Sequence, residues 1–334
     1  MPRDILRVDL FDAIGDTPLI RLPALSRHVG RNILGKAEHL NPGGSVKDRA
    51  AKFIIEDAER SGRLVPGGVI VEGTAGNTGI ALALLGNARG YSSIIVVPDD
   101  QSQEKIDLLR ASGADVRVVP TVPFTDDNNY YHEARRIAQS TPGAIWADQF
   151  NNVANRRGHY ETTGPEIWAA AGGSLDAFVA AAGTGGTFAG VSTFLKERNG
   201  RVRCVLADPM GSSLFNYVKH GNLDVEGDSV AEGIGIKRIT ANFKGAPVDD
   251  AVRVDDQAMI EMVHFLLRTE GLLVGGSSGI NVVAAARVAR DLPPGSSVAT
   301  ILCDSGTRYM SRLFSARWLA ENKLTPRCKD LSFL

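Results

Sequence analysis

VIVEGTAGNTGIALALLGNARGYSSIIVVP, residues 69–98, places a stretch of helical period between two short β-branched runs. VIVE and SIIVVP have the length and composition of buried strands, and NTGIALALLGNA carries the small and apolar residues of a helix packed on a sheet. The alternation continues with QEKIDLLRAS and DVRVVP. It resumes with DAFVAAAG (176–183), TFAGVSTFLKERN, VRCVLAD, a helix near 256–269 and SVATILCD (297–304). This order predicts an α/β fold of two mostly parallel sheets with helices on both faces.

Between the two series lies DQFNNVANRRGHYETT (148–163), polar and rich in Asn, which reads as a crossing between lobes and a place for a cleft. Residues 210–254 give turn signals and weak periodicity, and read as an irregular excursion. No internal repeat, heptad or low-complexity tract occurs, and TPRCKDLSFL reads as a loosely held terminus.

The chain has 334 residues, 43% hydrophobic and 22% charged, enough for one large or two medium domains with a buried core. Its 37 Lys+Arg against 38 Asp+Glu leave a net charge of -1, so no global field draws it to nucleic acid or to an anionic membrane. Small molecules are the expected partners. Asp4, Asp9 and Asp12 interrupt the region where a secretory signal needs an apolar core, and no 18-residue apolar run occurs. A cytoplasmic location is the expectation.

Cys204, Cys303 and Cys328 are widely spaced with no CxxC, which argues against disulfides and zinc. The histidines never fall at i, i+3 or i+4, so no metal is expected. Cys204 in VRCVLAD and Cys303 in ATILCD read as buried strand thiols.

Glycine-rich loops recur where an extended segment hands over to a helix: NPGGSVKDR (41–49), EGTAGNTG (72–79), GTGGT (183–187) and GGSSG (275–279). Each can present backbone N–H groups to an anion. GTGGTFAG superficially matches a dinucleotide fingerprint, but Phe188 stands where a Gly or Ala is required, although Asp208 follows a later strand as a ribose-binding carboxylate would. What GTGGT does supply is a run of N–H groups with the hydroxyls of Thr184 and Thr187 at a helix start, suited to one phosphate monoester. One phosphate without a nucleotide suggests a phosphorylated cofactor. Lys47, two residues beyond Ser45 and at the entry to a helix whose dipole is positive, has its ammonium form disfavoured and its amine available for a Schiff base.

From Ile14 to Leu324 the sequence resembles the cysteine synthase and cystathionine β-synthase group of pyridoxal-phosphate enzymes. It looks nearest to bacterial and fungal cysteine synthases. The resemblance runs through IGDTPLIRL, NPGGSVKDRAA, VEGTAGNTGIALA, DQFNN followed by AN, TTGPEIW, GTGGT, EGIG and EGLLVGGSSG. It implies the two-domain tryptophan-synthase-β-like fold, fold type II. On that basis the expected divisions are an N-terminal segment (1–45) packing on the large domain, a smaller domain (46–150) with a mobile lobe at about 90–137, a larger domain (151–324) and a tail (325–334).

The resemblance also implies roles. Lys47 would carry pyridoxal 5'-phosphate, and Gly183, Thr184, Gly185, Gly186 and Thr187 would take its phosphate. Asn77 would reach its phenolic oxygen. Ser277 would meet the pyridine nitrogen, with Ser278 the adjacent alternative. A neutral hydroxyl there makes a weaker electron sink and favours loss of a β-substituent over transamination. Thr74, Ala75, Gly76 and Thr78 would clasp the substrate carboxylate together with Gln149. The family loop more often reads Thr-Ser-Gly-Asn-Thr, so Ala75 lacks one hydroxyl and bears on substrate choice.

The implied reaction is β-replacement, O-acetyl-L-serine and sulfide giving L-cysteine and acetate through an α-aminoacrylate. A homodimer is implied, with a serine acetyltransferase as a further partner. Within the group the alternatives are cystathionine β-synthase activity, from serine and homocysteine, and synthesis of another β-substituted alanine. The large haem-containing animal type, with its N-terminal Cys and His extension and its regulatory module, is not expected, whereas a short bacterial cystathionine synthase stays open. From other classes, the alternatives are a nicotinamide-dependent oxidoreductase and a pyridoxal-binding scaffold without turnover.

Overall fold

A computed structural model describes residues 6–74, 76–327 and 330–334. Regular structure begins with β1 (Leu19–Arg21), α1 (Pro23–Val29), β2 (Asn32–Ala37) and α2 (Lys47–Arg60). The run quoted first forms β3 (Val69–Gly73), α3 (Asn77–Arg89) and β4 (Ser92–Pro98). Then follow α4 (Gln103–Ala111), β5 (Asp115–Val119), α5 (Tyr130–Ser140) and β6 (Ala144–Trp146). The crossing segment is helical rather than open: α6 (Ala154–Gly158) runs through a π-turn at His159–Thr163 into α7 (Gly164–Ala170). The second series is β7 (Ala177–Ala181), α8 (Gly186–Arg198), β8 (Arg203–Pro209), α9 (Leu214–His220), β9 (Asp250–Val254), α10 (Asp256–Phe265), α11 (Gly276–Arg290) and β10 (Ser297–Leu302).

Two sheets result, ordered β1-β2-β10-β7-β8-β9 and β5-β4-β3-β6. Among the described strands only the β1–β2 pairing is antiparallel. Side chains alternate across the strands of the larger sheet, as a two-faced sheet requires. Ala177, Val179, Val205 and Ala207 enter one core with α10 and α11, whereas Phe178, Ala180, Cys204 and Leu206 enter the other with α8. Cys204 is thus the buried strand thiol expected from its context, and burial pushes it up to about 12.

Two expectations are corrected. Cys303 lies just past the end of β10, half-buried on a cavity wall, because β10 ends at Leu302 and the chain turns there. The tail is held: Leu331 is buried in the α10–α11 core, and Leu334 O accepts from Arg290 Nη1 at 2.7 Å. Its apolar residues anchor it where composition alone suggested a loose end.

Residues 222–249 are largely irregular, as expected, but α9 and β9 bracket them. No described helix is long and apolar enough to cross a membrane.

Candidate active site

The four glycine-rich loops all end in helix starts: α2 at Lys47, α3 at Asn77, α8 at Gly186 and α11 at Gly276. Lys47, Asn77, Gly185 and Ser277 meet on the wall of one cavity of about 300 Å³ between the two sheets. Thr74, Thr78, Gln149, Gly183, Thr184 and Thr187 share that wall. Gly76 and Gly186 are immediately behind it, as the residues that open α3 and α8. Ala75 lies outside the described residues.

Lys47 sits at the first position of α2, and its N–H donates to Ser45 Oγ at 3.2 Å. Burial lowers its pKa, against the pull of Cys303 and Asp304 and reinforced by the charges of Lys105 and Arg308. Among the described residues no carboxylate forms a salt bridge with it. An amine so placed is available as a nucleophile or base.

Two residues along the same helix, Arg49 is locked in a buried ion cluster. It donates to Glu38 at 2.7 and 2.8 Å and to Glu166 at 2.7 Å. Lys36 completes the cluster, 2.5 Å from Glu166. The start of α2 is thereby pinned to β2 and α7.

At the opposite end, Gly185 turns with φ +88° and a Cβ there would lie 2.5 Å from Phe243 Cβ. The first N–H groups of α8 lack helical acceptors and face the loop. Asn155 Nδ2 donates to Thr184 Oγ1 at 2.9 Å, and Thr187 Oγ1 meets His159 Nε2 at 3.1 Å. His159 is kept neutral by burial. N–H groups and hydroxyls held in this way suit a phosphate monoester.

Ser277 is the hydroxyl on the cavity wall. Ser278 is turned away and its Oγ accepts from Cys303 N at 2.8 Å. Among the described residues the one carboxylate on the wall is Glu232, which is already paired with Lys105 at 2.5 Å and Arg312 at 2.8 Å. Asn77 is held from both ends of its amide: Nδ2 donates to Asp304 Oδ2 at 2.6 Å, and Oδ1 accepts from Arg308 at 2.6 Å. Thr78 Oγ1 donates to Gln149 Oε1 at 2.6 Å.

Several wall residues escaped the sequence reading. Lys105, from α4, packs its stem behind Gly76, where a Cβ would lie 2.7 Å from its Cδ. Arg238 stacks at the mouth, its guanidinium carbon 3.7 Å from the Phe124 ring centre and 4.7 Å from that of Phe150. The signal was faint: a Lys-Arg pair directly after EGIG and Ile236, inside a segment with no period.

A buried amine without a counterion, a cradle for a single phosphate and a neutral hydroxyl at Ser277 fit a phosphorylated aldehyde cofactor with a heteroaromatic ring. Residues 10–304 match the family described as "Pyridoxal-phosphate dependent enzyme". Cysteine synthase 1 of Neurospora crassa is 55% identical over 94% of this chain and 85% of its own. The O-acetylserine dependent cystathionine β-synthase of Helicobacter pylori superposes with a TM-score of 0.84 at 36% identity, over 92% of this chain and 98% of that one. An O-ureido-L-serine synthase gives 0.85 at 35%, over 94% and 99%.

Proposed function

The chain belongs to the pyridoxal-phosphate-dependent enzyme family, and from that premise we propose that it is a cysteine synthase, converting O-acetyl-L-serine and sulfide to L-cysteine and acetate. The fold is that of fold type II. Relatives named cysteine synthase, the Neurospora crassa protein among them, support the activity. The observation that carries the reading is the cavity wall, where an unpaired lysine meets a neutral Ser277 and the one carboxylate already has its cations.

Bound pyridoxal phosphate supplies a ring that takes up negative charge from the substrate Cα. Lys47 would hold it covalently, and its Nζ would serve as the base that takes the proton from the substrate Cα and returns it. Gly183, Thr184, Gly185, Gly186 and Thr187 would hold the phosphate, Asn77 would serve the phenolic oxygen and Ser277 the ring nitrogen. Thr74, Ala75, Gly76, Thr78 and Gln149 bind the substrate carboxylate. The lobe at about 90–137 closes over the cavity, with the Phe124–Arg238 stack as its contact at the mouth, and excludes water. The reading includes a homodimer, a serine acetyltransferase as partner and a cytoplasmic location. Sedimentation of the enzyme alone and with the acetyltransferase tests the first two.

Purified enzyme is expected to show a higher kcat/KM for O-acetylserine with sulfide than for serine with homocysteine. The reverse order would reassign it to cystathionine synthesis.

Gly185→Ala forces a side chain into the left-handed region and onto Phe243, costing about 1–2 kcal/mol before the clash. The expected result is a Kd for pyridoxal phosphate raised about tenfold or more. Fluorescence titration of the apoenzyme checks it, and an unchanged Kd argues against a phosphate at this loop.

A further inference from the structure

Glu72, on β3, is fully buried one layer behind the cavity wall. Its Oε2 accepts from Gln149 N at 3.2 Å and its Oε1 from Gln149 Nε2 at 3.3 Å. Gln149 Nε2 also reaches Gly73 O at 3.4 Å, and its Oε1 accepts from Thr78 at 2.6 Å. Glu72 therefore governs the amide that stands between it and the 74–78 loop.

A buried ionised carboxylate is costly without a cation, and Glu38 has one in Arg49 at 2.7 and 2.8 Å. Glu72 receives the neutral N–H donors of Gln149, and among the described residues no cation pairs with it. That is the environment of a neutral acid. If ionised, it would set an unscreened negative charge behind the loop that takes the substrate carboxylate.

We propose that Glu72 is a positioning residue which, when neutral, holds the Gln149 side chain in place beside the 74–78 loop and, when ionised, repels the substrate carboxylate, so that amino-acid binding is gated by pH. The inference rests on the carboxylate-site reading given above. Burial first, and then the charge of Asp148, push Glu72 up to about 8. The acid is neutral below that pH and charged above it, so binding weakens as pH rises. The groups around it are Asp148 after β6, Tyr130 and Tyr131 on α5, and Arg238 across the mouth, which faces the two tyrosines and Asp148. β4 and β6, which flank β3, carry no titratable side chain.

The test compares two amines on the holoenzyme, L-alanine and ethylamine, read from the absorbance of the bound cofactor. Both report titration of the amine and of the cofactor, but only alanine presents a carboxylate. The ratio of the alanine Kd to the ethylamine Kd is expected to rise about tenfold from pH ~6.5 to ~9.5, the effect of roughly one unit of coupling. In Glu72→Gln the ratio should stay flat across that range. In Asp148→Asn its midpoint should move to lower pH, because one charge that keeps Glu72 protonated is gone. A ratio flat in the unmodified enzyme, or equally steep in Glu72→Gln, overturns the inference. Failure of both amines to bind overturns the site reading itself, and the inference with it.

Discussion

Lys47→Ala is expected to lower turnover by about four orders of magnitude or more, because one substitution removes both the covalent anchor and the base at Cα. The visible band of the covalently held cofactor should vanish with it. The fold should survive, since the amine carries no salt bridge among the described residues and the ion cluster that pins α2 begins two residues later. Circular dichroism and a urea transition separate loss of chemistry from loss of structure. An alanine variant that keeps the band and a tenth of the activity would place the anchoring lysine elsewhere, with Lys105 and Lys237 the other lysines on the same wall.

Arg49→Leu should produce the largest loss of stability. Glu38 is fully buried, and without Arg49 it keeps only Thr17 and Asn41 as side-chain donors. Leaving such a charge uncompensated costs about 3–5 kcal/mol. Urea unfolding of the apoenzyme measures it, and a loss below about 1 kcal/mol would mean that the cluster relaxes. The pH dependence gives a second reading. Burial pushes Glu38 and Glu166 upward, yet Arg49 and Lys36 hold both below the usual carboxylate range. Their contribution is present above the unfolded value of 4.5 and is lost as pH falls through the folded values. The acid limb of the stability curve should therefore flatten in the variant.

The βα alternation was legible because β3, β4, β7, β8 and β10 are short runs largely buried on both faces, and α3, α8 and α11 start at glycines. GTGGT was legible for a related reason: an anion cradle built from backbone N–H groups is local in sequence. β2 was not read as a strand. NILGKA contains Gly35 and the buried Lys36, whose partner Glu166 lies 130 residues away. β6 is three residues long and carries too little pattern to notice. Cys303 was misplaced because an apolar run does not mark where a strand ends. Lys105 on α4 and the pair Glu232 and Arg238 in the irregular segment reach the cavity from two stretches that only the folded chain brings together. The roles of Lys47, Asn77, Ser277 and Gln149 came through resemblance, while their shared wall came from the coordinates.

The order of the larger sheet has a consequence for synthesis. β10 lies between β2 and β7, joining Asn32–Ala37 to the second series. As the chain leaves the ribosome, the smaller sheet, contiguous from β3 to β6, can assemble early, whereas β2 waits with an open edge until nearly all the polypeptide has emerged. Nascent chains halted before residue 297 should consequently expose that edge and recruit chaperones. Release of β10 is the event that draws the helix bearing Lys47 into its final position.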